Sequence, residues 1–227
     1  ANYLRVVTPG QIDAGAFLSI VQNHRDADVG SFSFLSSVPA GATLEGYLYP
    51  GPYPIESTTD SAALVRLMLA QFDRQVTPAM RQAFGAQGLT LREALILASI
   101  IEKEAAIPEE KPVMAAVFLN RLRAGMPLQA DPTVQYALGY HETSGTWWKS
   151  PLDAADLAVI SPYNTYQVNG LPPGPISNPG LASLEAIANP ATVDYLFFVL
   201  DCAASTPGTH VFSVTYEEHL AHVERCR

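Results

Sequence analysis

Apolar residues recur at helical spacing along much of the chain. From Ile12 to His24, the positions Ile12, Ala16, Phe17, Ile20 and Val21 fall on one face and predict an amphipathic helix. Ser61 to Val76 repeats the pattern, with Leu64, Leu67, Met68 and Phe72 on one side and Arg66, Asp73 and Arg74 on the other. Thr77-Pro78 opens a short helix by the cap-then-proline rule, because the N–H that proline lacks has no partner in a first turn. Thr90-Leu91-Arg92-Glu93 is a capping box, and the run Ala94 to Ile101 behind it is apolar almost all round. A helix without a polar face belongs in the middle of a domain. After a break at Pro108, a helix is predicted from about Glu110 to Arg123, with Pro112 in its first turn and Gly125 as its stop. Asp131-Pro132 starts a shorter one that runs through Leu138, and Gly180 to Asn189 and Tyr216 to Glu224 complete the helices.

Strand-like stretches are few. Tyr3 to Val7, a short piece around Gly46 to Pro50, a buried strand at Tyr195 to Leu200 and another at His210 to Val214 interleave with the helices without regular βα units. The expected fold class is therefore α+β, with mixed helices and short strands around a buried central helix. Residues 139–180 carry little periodicity, and a loop that long inside a compact domain generally has a function.

Composition narrows the choices. In 227 residues, 13 Lys and Arg stand against 22 Asp and Glu, a net charge of −9, which argues against nucleic acid as a partner because phosphate contacts demand a basic face. The hydrophobic fraction of 48% and charged fraction of 15% exclude disorder. Eighteen prolines predict ordered loops. No apolar run reaches the ~18 residues of a membrane span. The abrupt opening, Tyr3-Leu4-Arg5-Val6-Val7, suggests a piece of a longer protein. Cys202 and Cys226 lack any metal-ligand spacing; they form either one disulfide, worth about 3 kcal/mol by loop entropy, or two buried thiols.

The first chemical candidate is Glu102, on one helical stripe with Leu91, Leu95, Ala98 and Ala105. A carboxyl at the end of a buried apolar helix loses solvation, and its pKa is expected to rise toward the range of a general acid. The competing reading pairs it with Arg121 or Arg123 of the next helix. Glu104 faces the other side, near Leu97 and Ile100, and is the second candidate. In the aperiodic region, Tyr163, Asn164, Thr165 and Tyr166 offer phenols, an amide and a hydroxyl, an inventory suited to sugar hydroxyls and N-acetyl groups, although the same residues could simply pin a turn. Gly170 to Pro175 would hold that loop. Gln129 and Asp131 flank a helix start, Asp131 most simply as its N-cap. His210, His219 and His222 raise zinc, but two histidines three apart do not make HExxH, and no metal or other cofactor is expected. A GxSxG elbow and a phosphate loop are both missing.

Taken together, several segments resemble the endolytic murein transglycosylases, the YceG-like family. They are Leu44-Glu45-Gly46-Tyr47-Leu48-Tyr49-Pro50, Ala98-Ser99-Ile100-Ile101-Glu102-Lys103-Glu104-Ala105, Val117 to Leu122, and Gly125 to Val134. Ser161 to Tyr166, Gly170 to Pro179 and Gly208 to Ser213 follow in the family's order. The resemblance implies a lytic enzyme acting on the β-1,4 bond between N-acetylmuramic acid and N-acetylglucosamine in peptidoglycan. Its catalytic glutamate would be Glu102, with Gln129, Asp131, Tyr163, Asn164, Thr165 and Tyr166 lining a glycan cleft. It also implies residues 1–40 as the remnant of a LysM-like segment and residues 41–227 as the catalytic domain. The parent would be anchored by an N-terminal helix at the extracytoplasmic face of the bacterial cytoplasmic membrane, beside cell-wall synthesis proteins. The alternatives are a glycan-binding or scaffold module without turnover, and an ordinary muramidase-type hydrolase. Trp147-Trp148 and the cysteines lie outside the family pattern.

Overall fold

The computed structural model describes residues 12–25 and 28–226; the strand expected at 3–7 lies outside them. In chain order the helices are α1 (Ala14–Gln22), α2 (Ser61–Gln75), α3 (Pro78–Ala86), α4 (Leu91–Glu104), α5 (Lys111–Arg123), α6 (Asp131–Leu138), α7 (Ala154–Leu157) and α8 (Leu181–Ala188). An antiparallel pair follows, β1 (Phe197–Leu200) and β2 (His210–Ser213), and α9 (Tyr216–Arg225) ends the described chain. The α+β expectation holds.

The central helix is α4. Its capping box forms as expected, with Thr90 Oγ1 accepting from the Glu93 N–H and Glu93 Oε2 accepting from the Thr90 N–H at 2.8 Å. Every residue from Ala94 to Ile101 is buried, because α3, α5, α6 and α8 pack around the helix. Burying Leu95, Leu97, Ile100 and Ile101 stabilises the fold by roughly 1.5–3 kcal/mol each, before chain entropy is subtracted. The one polar residue in this run, Ser99, is satisfied: its hydroxyl donates to Ile96 O and accepts from the Ile176 N–H. That second bond carries the proline-rich segment after residue 170 across the helix. Phe34 stacks on Tyr47 and packs against Phe72, so residues on both sides of position 40 share one core.

Around Gly46 to Pro50 the structure differs from the expected strands and forms turns. Gly46 has φ 89°, and a Cβ there would meet Pro175 Cγ at 2.5 Å. The segment's backbone donors are met by a side chain instead of a ladder: Asn178 Oδ1 accepts from the N–H groups of Gly46 at 2.8 Å and Leu48 at 3.2 Å. A 3-10 turn, Ser33–Ser37, also occupies the region read as loop.

The strand expected to be buried is only half-buried. β1 pairs with β2 from Phe197↔Ser213 to Leu200↔His210, Phe198 packs edge-on against Phe118, and Leu200 is left exposed. Helix α9 lies against both strands. Cys202, just after β1, is bonded to Cys226 at the end of α9, so the two cysteines form the disulfide and neither is a free thiol.

Asn178→Ala leaves two backbone donors without their acceptor. A loss of about 2 kcal/mol is expected in urea unfolding, with the m value unchanged.

Candidate active site

The ends of several elements meet around a cleft of about 600 Å3. The last turn of α4 supplies Glu104, α5 supplies Arg121, and Gln129 and Asp131 stand at the entry to α6. Tyr166 comes from the aperiodic loop, and the C-terminal β-hairpin and α9 form the facing wall, where His219 stands.

Glu104 is the perturbed carboxyl of this cleft. Burial at the cleft floor pushes its pKa up to about 8, and the carboxylate of Asp131 adds to the rise while the Arg121 guanidinium opposes it. Glu104 therefore holds its proton at neutral pH. Asp131 is not the N-cap. That position is Ala130, without a side-chain bond, and Asp131 is the first helical residue, whose carboxylate accepts from Tyr166 Oη at 2.5 Å. Burial, followed by this bond to Asp131, raises the Tyr166 pKa, which keeps the phenol a donor. Arg121 is fixed from below: Nε donates to Leu196 O at 2.6 Å, Nη1 donates to Leu128 O at 2.8 Å, and the guanidinium lies 5.2 Å from the Phe197 ring centre. Gln129 has φ 49°, the left-handed region that non-glycine residues rarely adopt, and its N–H donates to Thr165 O at 3.0 Å. Strain of this kind, of order 1–3 kcal/mol, persists where surroundings hold a side chain at a site.

Glu102 faces another way. Its Oε2 accepts from Ser183 Oγ at 2.5 Å, from Lys111 Nζ at 3.1 Å and from the Gly180 N–H at 3.3 Å. Lys111 is buried and also donates to Ser183 Oγ at 2.8 Å. The raised pKa expected at Glu102 is reversed: burial alone would raise it, but the hydrogen bonds from Ser183 and Lys111, the Lys111 charge and the Gly180 amide together bring it below the usual value. The cation that pairs with it is Lys111, from the first turn of α5, and not Arg121 or Arg123.

The Tyr-Asn-Thr-Tyr loop divides its labour. Only Tyr166 of the four lines the main cleft; Tyr163 lines a second cavity of about 330 Å3 with Glu45, Arg92 and Tyr136. Asn164 and Thr165 are buried and do not line the cleft. Asn164 Nδ2 donates to Leu157 O and Val159 O, and Thr165 Oγ1 bonds to Thr133 Oγ1 and accepts from the Ala130 N–H. These two residues brace the loop against the start of α6. The segment Gly170 to Pro175 is tied to α4, with Arg92 Nη2 donating to Pro173 O at 2.8 Å.

Arg121, which the sequence offers as a partner for Glu102, and His219, which it offers as a metal ligand, both line the cleft instead. The signal for Arg121 is in the sequence: it is a guanidinium in a mostly apolar run, Val117-Phe118-Leu119-Asn120-Arg121-Leu122, and such a group is kept for a partner or a site. His210 is engaged by Glu110 at 2.7 Å and His222 by Arg225. Among the described residues no three His, Cys, Asp or Glu side chains gather into a metal-binding group. No single described helix is long and apolar enough to cross a membrane.

The proton on Glu104 makes stability depend on pH. Its folded pKa lies above the unfolded value near 4.5, so its contribution is complete below pH 4.5 and is lost as pH rises through about 8. Urea midpoints of the native chain should fall between pH 6 and pH 9, and Glu104→Gln should flatten that decline.

Residues 6–225 match the YceG-like family, and the chain belongs to it. A Bacillus subtilis protein named endolytic murein transglycosylase is 39% identical over 177 residues, which is 78% of this chain and 46% of that one. A Streptococcus pneumoniae protein of the same name is 35% identical over 216 residues, 92% of this chain and 38% of that one. The chain thus spans less than half the length of these curated relatives. The crystal structure of a yceG-like protein from Listeria monocytogenes superimposes with a TM-score of 0.78 at 34% identity, over 97% of this chain and 70% of that one.

Proposed function

We propose that this YceG-like chain is the catalytic part of a peptidoglycan lytic transglycosylase that cleaves the β-1,4 bond between N-acetylmuramic acid and N-acetylglucosamine, with Glu104 as its acid and then its base. The observation that carries the reading is a carboxyl held protonated to about pH 8 on the floor of an open cleft. The name shared by the curated relatives supports the substrate.

A single acid suffices for this chemistry. Glu104 gives its proton to the glycosidic oxygen as the bond to the muramoyl C1 breaks. The carboxylate left behind takes the proton of the muramoyl C6 hydroxyl as that oxygen bonds to C1, closing a 1,6-anhydro ring with no water consumed. Asp131 lies close enough to lift the Glu104 pKa by its charge, and its carboxylate is suited to oppose the positive charge that grows on the sugar ring. Gln129 and Tyr166 would hold sugar hydroxyls or acetamido groups. Glu102 takes a holding role in this scheme, joining α4 to Lys111 of α5 and to Ser183 of α8. The reading sets the protein at the extracytoplasmic face of the bacterial cytoplasmic membrane, where a disulfide such as Cys202–Cys226 persists.

Asp131 also favours a second reading. Two carboxyls in one cleft are what a muramidase-type hydrolase uses to activate water. Mass spectrometry of digested peptidoglycan separates the two: anhydro-muramoyl ends are expected, and reducing ends alone would replace the lytic reading with hydrolysis.

Glu104→Gln should lower the rate at least about 100-fold with folding intact, because the proton donor is removed. Glu102→Gln should cost less in rate and more in stability. The reverse order would return the acid to Glu102. The native rate should decline as pH rises through about 8, where Glu104 loses its proton.

A further inference from the structure

After α6, Gly139 turns the chain at φ 77° into a small hairpin closed by one bridge, His141↔Thr146, with the His141 N–H donating to Thr146 O at 2.8 Å. The residues flanking this bridge, Tyr140 and Trp147, meet edge to face with ring centres 5.7 Å apart. Both remain in water, Tyr140 46% and Trp147 57% exposed. Large apolar rings left in solvent on a well-anchored turn call for an explanation, since a packed alternative normally recovers their hydrophobic energy.

The anchoring connects the hairpin to the cleft. Gln135, which lines the cleft, donates from Nε2 to Lys149 O at 2.8 Å. Lys103, also on the cleft, lies 4.5 Å from the ring centre of Trp148, the neighbour of Trp147. The tip is fixed by His141 Nδ1 and Ser144 Oγ at 2.7 Å. A rigid aromatic pair therefore stands on a hairpin held by the same side chains that border the reaction site.

We infer that Tyr140 and Trp147 form a sugar-stacking platform that takes a pyranose ring of the glycan strand outside the cleaved pair. This rests on the proposed glycan substrate. The apolar C–H face of a pyranose matches an exposed ring, and His141, Ser144 and Thr146, engaged within the hairpin, hold the two rings in place for it. Other occupants fit less well. A protein partner needs about 800 Å2 per side, far more than two rings offer. An anionic lipid surface needs free cations, whereas Lys149 is paired with Asp153 and Asp156, and Glu142 stands on the hairpin itself.

The test compares the native chain with Trp147→Phe and with the double variant Tyr140→Ala/Trp147→Ala. The first probe is the β-1,4-linked hexamer of N-acetylglucosamine, with binding read by calorimetry. The second is cleavage of long peptidoglycan strands and of a tetrasaccharide that fills only the cleaved pair and its neighbours. The platform predicts about tenfold weaker hexamer binding and about tenfold higher KM on long strands for the double variant. Its kcat and its tetrasaccharide kinetics should be unchanged, and Trp147→Phe should keep most of the affinity. Native hexamer affinity in the double variant, no hexamer binding by the native chain, or an equal loss on both substrates overturns the platform. A native chain that binds hexamer but releases nothing from peptidoglycan overturns the enzymatic reading and leaves the platform standing if the double variant binds more weakly.

Discussion

The burial of α4 on all sides is the constraint from which the site follows. An apolar helix surrounded by α3, α5, α6 and α8 reaches polar surroundings only at its two ends, and its C-terminal turn is the one that opens on the cleft. There the sequence places Glu102, Lys103 and Glu104. Two residues along a helix turn the side chain by about 200°, so the two carboxyls are sent to nearly opposite sides. One meets the buried Lys111 ammonium and the hydroxyl of Ser183; the other meets the cleft. The same loss of water acts on both, and their opposite pKa shifts come from what each finds on arrival.

Charge in the cleft is arranged around one retained proton. Glu104 and Asp131 repel when both are ionised, and the single guanidinium of Arg121 is already engaged by backbone carbonyls. Burial first, and then the charge of Asp131, keeps the proton on Glu104, while the Tyr166 phenol donates to Asp131. Rigidity serves this arrangement. Asn164 and Thr165, buried under the loop, fix the direction from which Tyr166 approaches, and the carbonyl of Thr165 helps hold Gln129 in its left-handed conformation.

Much of the fold was legible because its signals are local. The capping box at Thr90, the proline at the start of α3 and the stop at Gly125 each act within a few residues, and the corresponding helices lie where the pattern sets them. The errors arose where a distant partner decides. The stretch around Gly46 to Pro50 reads as short strand, yet Asn178, some 130 residues later, supplies the acceptor that a neighbouring strand would have given. Asp131 looked like a cap by position and was diverted by a tyrosine 35 residues on. At Glu102 the desolvation argument was sound and incomplete, since nothing local announces that Lys111 and Ser183 converge on that carboxylate. The Tyr-Asn-Thr-Tyr string showed the right region, but a string cannot say which of its members turn inward.

The close approach of Gly46 and Pro175 decides what position 46 can carry. A side chain at 46 is refused twice, by the positive φ and by a proline ring where its Cβ would lie. Trading Pro175 for a smaller residue removes only the second objection, and a new side chain at 46 with the proline in place meets both. No single substitution at 175 makes room for a side chain at 46, because the backbone conformation still refuses it. Position 46 is thereby held to glycine by two independent constraints, one local to its own backbone and one from a ring in the last third of the chain.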